Sequence, residues 1–320
     1  MRSIVRSSRL ATLAAFAAAG TLALAGVTPA GAATLVTFVG SLGDDANTCT
    51  SPQQPCRSLA SAYDKTAAGG QINILDGGLY GGLEISRSIT IDGEAAKDAV
   101  IRGTIFVGTG DADVVVLRGL VFKADTGQTS SGIFFRGSGT LQVEGCVIDG
   151  LQSINGAHGI RLDPTGNSRV LIADTVVRNF VGTNGHGLRL SIERAGLTRL
   201  SLERVSLVGN NIGMSIVALL SDGVMASVRD SMVAQNQRHG IEITGNPLSD
   251  VMIERTGIVG NGGIGVFSGK NAIVRLRTVT VTHNGTGIFP HEGGRILSYG
   301  DNVIDANGTN GTPTEVGTLK

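Results

Sequence analysis

The stretch VRDSMVAQNQRHGIEI at residues 228–243 is followed by two variants of itself, IERTGIVGNGGIGVFS at 253–268 and LRTVTVTHNGTGIFP at 276–290. Each copy alternates apolar and polar residues and reaches an asparagine, and most copies continue with a glycine and an apolar residue. The asparagines recur at steps of 26, 25, 23 and 23 residues: Asn210, Asn236, Asn261, Asn284 and Asn307. Such a repeat is typical of one supersecondary unit stacked many times.

The repeat predicts strands, because its apolar residues follow a period of two and are bounded by Gly, Asn and Thr turns. No amphipathic helix occurs within a copy, which argues against leucine-rich and helical solenoids. A 23-residue step has room for three short strands and three turns, which make one full coil. We expect the asparagine of each coil to hydrogen-bond its neighbours above and below, in a structural array, and to tolerate the left-handed backbone conformation.

Looser copies extend towards the amino terminus. Phe180 occupies the asparagine position in IADTVVRNF, and Gly150 occupies it in VEGCVIDG. The stretch QINILDGGLYGGLEISRSITIDG supplies the first coils. The glycine–apolar pair persists in three earlier coils: Gly159-Ile160, Gly187-Leu188 and Gly213-Met214.

With these repeats, the opening TFVGSLGDDANTCTSPQQPCRSLASAYDKTAAGGQINILDGGLY and the closing ILSYGDNVIDANGTNGTPT, the chain resembles the right-handed parallel β-helix families, which include pectate-lyase-like and secreted bacterial proteins. The resemblance implies an all-β, single-stranded right-handed parallel β-helix (a solenoid) with a short amino-terminal capping helix. We expect this domain to occupy residues 33–320, with the cap at about 34–70, coils at about 71–307 and a tail at 308–320. Activity depends on sites carried by the fold.

Residues 1–32 are typical of a secretory signal peptide. They begin with Arg2, Arg6 and Arg9, continue with the apolar LATLAAFAAAGTLALAG, and end in small residues suited to cleavage. An uncleaved anchor is the alternative, and the Thr28-Pro29 break favours cleavage. No later segment is long and apolar enough to span a bilayer. We therefore expect a secreted protein without a membrane span, in the periplasm or outside the cell.

Charge argues against one class of partner. Residues 1–32 hold three of the 26 basic residues and none of the 26 acidic ones, which leaves a net charge near −3 on the remainder. A general nucleic-acid binder is expected to be strongly basic. The resemblance to pectate-lyase-like proteins instead implies a polysaccharide or a cell-surface glycan as the partner.

Three cysteines remain for an oxidising compartment. Cys49 and Cys56 lie in one polar loop, and a disulfide between them would contribute roughly 2–3 kcal/mol by chain entropy. A pair of metal ligands is the alternative, but a second Cys or His pair is missing nearby. Cys146 lies in a strand and is expected to be a buried apolar residue.

A short amphipathic helix is expected at residues 56–67, just after this loop. Leu59, Ala60, Tyr63 and Ala67 would share its apolar face, and Gly69-Gly70 would end it. The helix would cover the first coil, whose strand edges and core would otherwise be exposed. The preceding Gly43-Asp44-Asp45-x-Asn47 is either a calcium site or, more simply, a turn held by Asp and Asn side chains.

The most concentrated cluster of functional side chains surrounds the glycine–apolar pair. The residue before the pair is His158, His186, Ile212 or His239, and the residue after it is Arg161, Arg189, Ser215 or Glu242. We expect the side chains on both sides of the inward apolar residue to point outward. The candidate catalytic residues are therefore His158, Arg161, His186 and Arg189, and the candidate substrate-binding residues are Arg161, Arg189 and Asp163.

The resemblance implies an Arg or Lys base working with calcium-binding carboxylates. Asp149, Asp163 and Asp174 lie in adjacent coils and are the candidate carboxylates, although Asp174 belongs to a different part of the coil. Calcium is thus the implied cofactor, and no metal site is assigned. The alternative is an ordinary solvated outer sheet. A second column of charges is interpreted as setting register and conferring solubility: Glu144, Asp174, Arg204, Asp230 and Arg255.

Two functions follow from these residues. The first is a secreted, carbohydrate-interacting protein that binds an acidic polysaccharide along its outer face and, if it is an enzyme, cleaves it as a lyase or glycoside hydrolase. The second is a non-enzymatic surface or envelope protein, either an adhesin or a structural spacer. The chain contains no Gly-x-Ser-x-Gly elbow, phosphate-binding loop or dinucleotide fingerprint.

Overall fold

The computed structural model describes residues 34–123, 131–150, 156–219, 223–245 and 249–317. The expected signal peptide lies outside these residues. The described chain forms 29 strands and one short helix, and the strands pair in parallel in two sheets. No helix within these ranges is long and apolar enough to cross a membrane.

The first sheet, face A, has twelve strands that each come from a successive part of the chain. Its strands, in spatial order, are β1 (Thr34–Val39), β2 (Thr66–Ile74), β4 (Ile89–Asp92), β6 (Val114–Arg118), β9 (Gly139–Glu144), β12 (Ser168–Ala173), β15 (Thr198–Glu203), β18 (Val224–Arg229), β21 (Ser249–Glu254), β24 (Ala272–Arg277), β27 (Arg295–Ser298) and β29 (Glu315–Val316).

The second sheet has 17 strands and divides into two columns. Two long strands, β3 (Gly78–Ile85) and β5 (Ala99–Val107), run through both columns. Face B continues with three-residue strands: β7 (Val121–Lys123), β10 (Val147–Asp149), β13 (Val176–Arg178), β16 (Ser206–Val208), β19 (Met232–Ala234), β22 (Gly257–Val259), β25 (Thr280–Thr282) and β28 (Val303–Asp305). Face C continues with β8 (Ile133–Phe135), β11 (His158–Leu162), β14 (His186–Ile192), β17 (Ile212–Ala218), β20 (Ile241–Gly245), β23 (Ile264–Ser268) and β26 (Thr286–Pro290).

Each coil visits face A, face B and face C in turn and then returns to face A one strand further along. The expected three strands per coil and the predicted parallel β-solenoid are therefore confirmed. The core consists of apolar side chains stacked in register from coil to coil, each contributing roughly 1.5–3 kcal/mol on burial. On face A one such stack contains Val170, Leu200, Ala226, Val251, Val274 and Ile296.

A ladder of asparagine side chains runs along the turn between faces B and C. The backbone N–H of Asn210 donates to the Oδ1 atom of Asn236 at 2.9 Å, and the backbone N–H of Asn236 donates to the Oδ1 atom of Asn261 at 3.1 Å. The amide groups also donate along the ladder, with 2.8 Å from Asn236 Nδ2 to Asn261 Oδ1. The same bonds continue through Asn284 to Asn307.

The ladder ends in two different ways. Phe180 stands at the asparagine position in the preceding coil, and its N–H donates to Asn210 Oδ1 at 3.1 Å. At the far end, the N–H of Asn307 donates to Asn310 Oδ1 at 3.1 Å, so Asn310 supplies the last acceptor. Sequence spacing did not single out Asn310, because only three residues separate it from Asn307.

The left-handed residue of this turn is not the asparagine, contrary to the expectation above. Positive φ angles of 55° to 67° occur at the residue just before each ladder asparagine. The asparagine side chain is instead committed to its neighbours above and below. The left-handed residues are Gly209, Gln235, Gly260, His283 and Ala306.

The glycine of the glycine–apolar pair makes room for the ladder. A Cβ atom added to Gly213 would lie 2.6 Å from Val233 Cγ1 and 2.9 Å from the Nδ2 atom of Asn236. The ladder asparagines of the other coils stand equally close to their glycines. The two repeating features of the sequence therefore depend on each other.

The amino-terminal helix α1 is shorter than expected and spans Leu59–Lys65. It starts later because Ser58 is its N-cap and accepts a hydrogen bond from the N–H of Ser61 at 3.1 Å. Its buried face contains Ala62 where Ala60 was expected. Gly69-Gly70 does not end it, because the chain enters β2 at Thr66.

The loop before the helix is held by a carboxylate and a disulfide. Asp45 Oδ1 accepts hydrogen bonds from the N–H groups of Arg57 and Ser58, both at 2.8 Å. Cys49 and Cys56 form a disulfide with a Cα–Cα distance of 5.1 Å. Asp44 accepts a hydrogen bond from Ala46. These contacts are those of a side-chain-stabilised turn, the simpler of the two alternatives for this motif.

Candidate functional site

Face C carries one line of register-paired side chains, which we call the outer row. All of its members are at least partly exposed except Ser215, which is 4% exposed. Each member is the register partner of the next, so neighbours are about one strand spacing, roughly 4.8 Å, apart. The row places aromatic rings at both ends and charged groups in the middle. Its members are Phe106, Phe134, Arg161, Arg189, Ser215, Glu242, Phe267 and Phe289.

The centre of the outer row contains polar atoms without partners. Arg161 donates from Nε to Asp163 Oδ2 at 2.8 Å, and its guanidinium lies 4.6 Å from the centroid of the Phe134 ring. In the next coil, the Nε atom of Arg189 is buried and has no hydrogen-bond partner among the described residues. The Oδ1 atom of Asp163 is likewise buried and has no hydrogen-bond partner among the described residues. Buried polar atoms usually have partners, and these two are exceptions.

A pocket of about 160 Å³ lies at the carboxyl ends of β11 and β14, beside Arg161. Three arginines and two carboxylates line it, which leaves one excess positive charge. Arginine presents a planar fork of donors that matches carboxylate and sulfate groups. The lining residues are Arg136, Arg161, Asp163, Pro164, Thr165, Ser191, Glu193 and Arg194.

The ends of the outer row are aromatic platforms. Phe106 and Phe134 pack edge to face with ring centroids 5.2 Å apart. At the other end, Phe267 and Phe289 are stacked at 6.1 Å, and His291 lies 5.6 Å from Phe289. Sequence analysis missed these phenylalanines, although Phe134, Phe267 and Phe289 each follow a glycine–apolar pair as Arg161 does.

The two candidate histidines do not face solvent, and that expectation was wrong. His158 and His186 are register partners and are only 3% and 6% exposed. Their rings pack edge to face at 4.9 Å, and His186 Nδ1 lies 2.7 Å from the carbonyl oxygen of Asn184. The alternation of side chains is interrupted at Gly159, where an added Cβ would lie 2.1 Å from Val177 in the core. Alternation from the inward Ile160 therefore does not predict the direction of the His158 side chain.

Burial also fixes the protonation state of these histidines. Desolvation lowers the pKa of His158 to about 3, and the neighbouring His186 and the two arginines act in the same direction. Desolvation lowers the pKa of His186 to about 4. Both rings are neutral at physiological pH, and their solvent contact is too small for a substrate in the outer row to reach them directly.

The three candidate carboxylates lie at different corners of the coil. Asp149 ends face B and accepts from Arg178 Nε at 2.9 Å, whereas Asp163 follows face C. Asp174 follows face A and forms a two-pronged pair with Arg204, at 2.6 and 2.8 Å. The structure therefore does not bring them together. The described residues contain no group of three or more His, Cys, Asp or Glu that could hold a metal ion.

The second charge column, which runs from Glu144 to Arg255, forms ion pairs between neighbouring coils. Arg255 pairs with Asp230 at 2.7 and 2.9 Å, in the same way as Arg204 pairs with Asp174. Their backbones are left-handed, with φ of 45° to 53° at these four turn positions. Such exposed pairs contribute roughly 0.2–1 kcal/mol each. They connect successive coils and are separate from the outer row.

Comparison with known proteins agrees with this architecture. A family model described as "Right handed beta helix region" matches residues 131–308, more than half of the chain. The chain belongs to this family. The solenoid is therefore a right-handed β-helix, as the repeats suggested. A search of curated proteins found no match.

A pectate lyase and an alginate epimerase are among the solved structures to which this chain is similar. Pectate lyase Pel9A is 16% identical, with a TM-score of 0.60, and the match covers 84% of this chain and 75% of that one. The periplasmic alginate epimerase AlgG is 11% identical with a TM-score of 0.39, covering 78% of this chain and 76% of that one. At these identities the likeness to the pectate lyase is one of fold.

Proposed function

We propose that this right-handed β-helix binds an acidic polysaccharide along the outer row of face C. The observation that carries the proposal is the register itself, which places eight outer-row side chains in one line about 34 Å long at roughly 4.8 Å per step. A linear polymer can contact such a line at many points, whereas a compact ligand cannot.

The chemistry of the row suits a polymer of sugar acids. Arg161 and Arg189 offer partly exposed guanidinium side chains in adjacent coils, and each can donate to a carboxylate. The aromatic pairs at the ends provide flat apolar surfaces for the C–H faces of sugar rings. The pectate lyase neighbour adds support, because pectate is such a polymer.

The proposal is one of binding and assigns no catalytic step. His158 and His186 are buried, and the candidate carboxylates are dispersed over three corners. We further propose that the protein is exported. The disulfide between Cys49 and Cys56 supports an oxidising compartment.

Affinity electrophoresis in gels that contain polygalacturonate tests the proposal. The wild-type protein should be retarded by polygalacturonate and not by neutral dextran. The double variant Arg161→Ala/Arg189→Ala should bind at least tenfold more weakly. The control, Arg169→Ala/Arg199→Ala, removes two arginines with the same charge from face A and should bind like the wild type.

Two results would overturn the proposal. Equal retardation of the wild type and of Arg161→Ala/Arg189→Ala would remove the outer row from the binding site. Absence of retardation by polygalacturonate and by other acidic polysaccharides would favour the structural or adhesive function instead.

A further inference from the structure

Face A carries a second, separate groove on its outer surface, with a volume of about 500 Å³. This size is in the range of pockets that hold small molecules, roughly 300–1,000 Å³. The groove crosses four coils, from β12 to β21, and continues onto β24. Two parallel lines of side chains form it, and no residue of the outer row contributes to it.

One end of the groove holds two arginines without counter-charges. Arg169 and Arg199 are register partners in adjacent coils, both are exposed, and neither has an ion pair or hydrogen bond among the described residues. Like charges directly opposite each other in a sheet repel. By contrast, the other described outward arginines of the face A strands pair with carboxylates: Arg118, Arg229, Arg275, Arg277 and Arg295.

The middle of the groove is apolar. Met225 is the next register partner after Arg199 and is 56% exposed. Leu171 and Met252 belong to the neighbouring line. Between Leu171 and Met252, the hydroxyl groups of Ser201 and Ser227 form a 3.2 Å hydrogen bond with each other. The floor of the groove at these two serines therefore presents paired hydroxyl groups. Methionine adapts its shape to apolar ligands.

The opposite end is electrically neutral. Asp250 follows Met225 in register and accepts two hydrogen bonds from Arg275, at 3.0 and 2.9 Å. A ligand with one charged end would therefore be oriented by Arg169 and Arg199 alone. From Arg169 to Asp250 the line covers three strand spacings, roughly 14 Å.

We propose that this groove binds an amphiphilic anion. A carboxylate would lie between the guanidinium groups of Arg169 and Arg199, which relieves their mutual repulsion and satisfies their donors. An apolar tail would lie along Met225 and Met252 and remove them from water. Neither the carboxylate nor the apolar tail alone is expected to bind tightly. Water competes for the exposed arginines, and the apolar floor of the groove is open to solvent.

Isothermal titration calorimetry with laurate below its micelle concentration tests this site. Laurate should bind the wild-type protein with one-to-one stoichiometry. Acetate lacks the tail and methyl laurate lacks the charge, so both should bind at least tenfold more weakly. Arg169→Ala/Arg199→Ala should also weaken laurate at least tenfold, whereas Arg161→Ala/Arg189→Ala on face C should leave it unchanged.

Several outcomes would overturn the inference. They are an absence of laurate binding to the wild type, equal binding of laurate and methyl laurate, and undiminished laurate binding by Arg169→Ala/Arg199→Ala. Comparison of the three ligands on the wild type needs no variant, so the inference is tested even if a variant folds poorly. Polygalacturonate binding is measured separately, so failure here is distinguishable from failure of the proposed function.

Discussion

Replacement of Asn236 by alanine tests the asparagine ladder at an interior position. The Asn236 side chain takes part in four hydrogen bonds. Its Oδ1 accepts from the N–H and the Nδ2 of Asn210, at 2.9 and 3.2 Å. Its Nδ2 donates to the carbonyl oxygen of Leu207 at 3.1 Å and to Asn261 Oδ1 at 2.8 Å.

The expected cost follows from the groups that would lose their partners. Asn210 Nδ2 still donates to Val177, and Asn261 Oδ1 still accepts from the backbone of residue 236. The N–H of Asn210 and the carbonyl of Leu207 each lose the ladder bond. Each such buried group costs roughly 1–3 kcal/mol, so we expect Asn236→Ala to lower the free energy of unfolding by about 4 kcal/mol.

Urea denaturation followed by circular dichroism measures this loss. Asn211→Ala is the matched control, because Asn211 lies in the corresponding turn of the preceding coil and its side chain makes only a 3.5 Å contact with Gln237. It should cost less than about 1 kcal/mol. A loss below about 1 kcal/mol for Asn236→Ala, or equal losses for both variants, would refute the reasoning.

Three further predictions concern other parts of the coil. Gly213→Ala should lower the free energy of unfolding by about 2 kcal/mol or more, because the new methyl group would clash with Val233. An unchanged melting temperature would contradict this prediction. Burial lowers the pKa of His158 below its ordinary 6.5, so its stabilising contribution is complete above pH about 6.5 and is lost towards pH about 3. His158→Leu should therefore flatten the fall of melting temperature in this window, and an unchanged slope would contradict the burial argument. Cys49→Ser removes the disulfide to Cys56 and should lower the free energy of unfolding, measured with denaturant, by roughly 2–3 kcal/mol. Equal stability of the variant and the wild type would show that the disulfide does not stabilise the fold.

The coil could be predicted from the sequence because each coil needs the same residues at the same positions. An asparagine can bond to its neighbours only if it recurs at the same turn, and Gly213 must remain glycine because a methyl group would meet the amide of Asn236. Both requirements recur at each coil of the carboxyl-terminal half. The period therefore revealed the ladder and the turns.

The candidate site was less predictable, since it depends on the direction of individual side chains. Alternation placed Arg161 outside, with its guanidinium about half-buried, but failed for His158, because Gly159 interrupts the alternation. The aromatic ends were visible only by following one position through every coil, from Phe134 to Phe289. The repeat pattern already placed Asp174 in a different part of the coil, but it did not show that Asp149 and Asp163 also occupy different corners.

Hydroxyl-radical footprinting with and without polygalacturonate tests the central claim most directly. The method reports solvent access at single side chains, and phenylalanine and methionine both react. The account predicts that the polymer protects Phe134 and Phe289 on the outer row and leaves Met225 on face A unprotected. Protection of Met225 with unchanged labelling of Phe134 and Phe289 would contradict it.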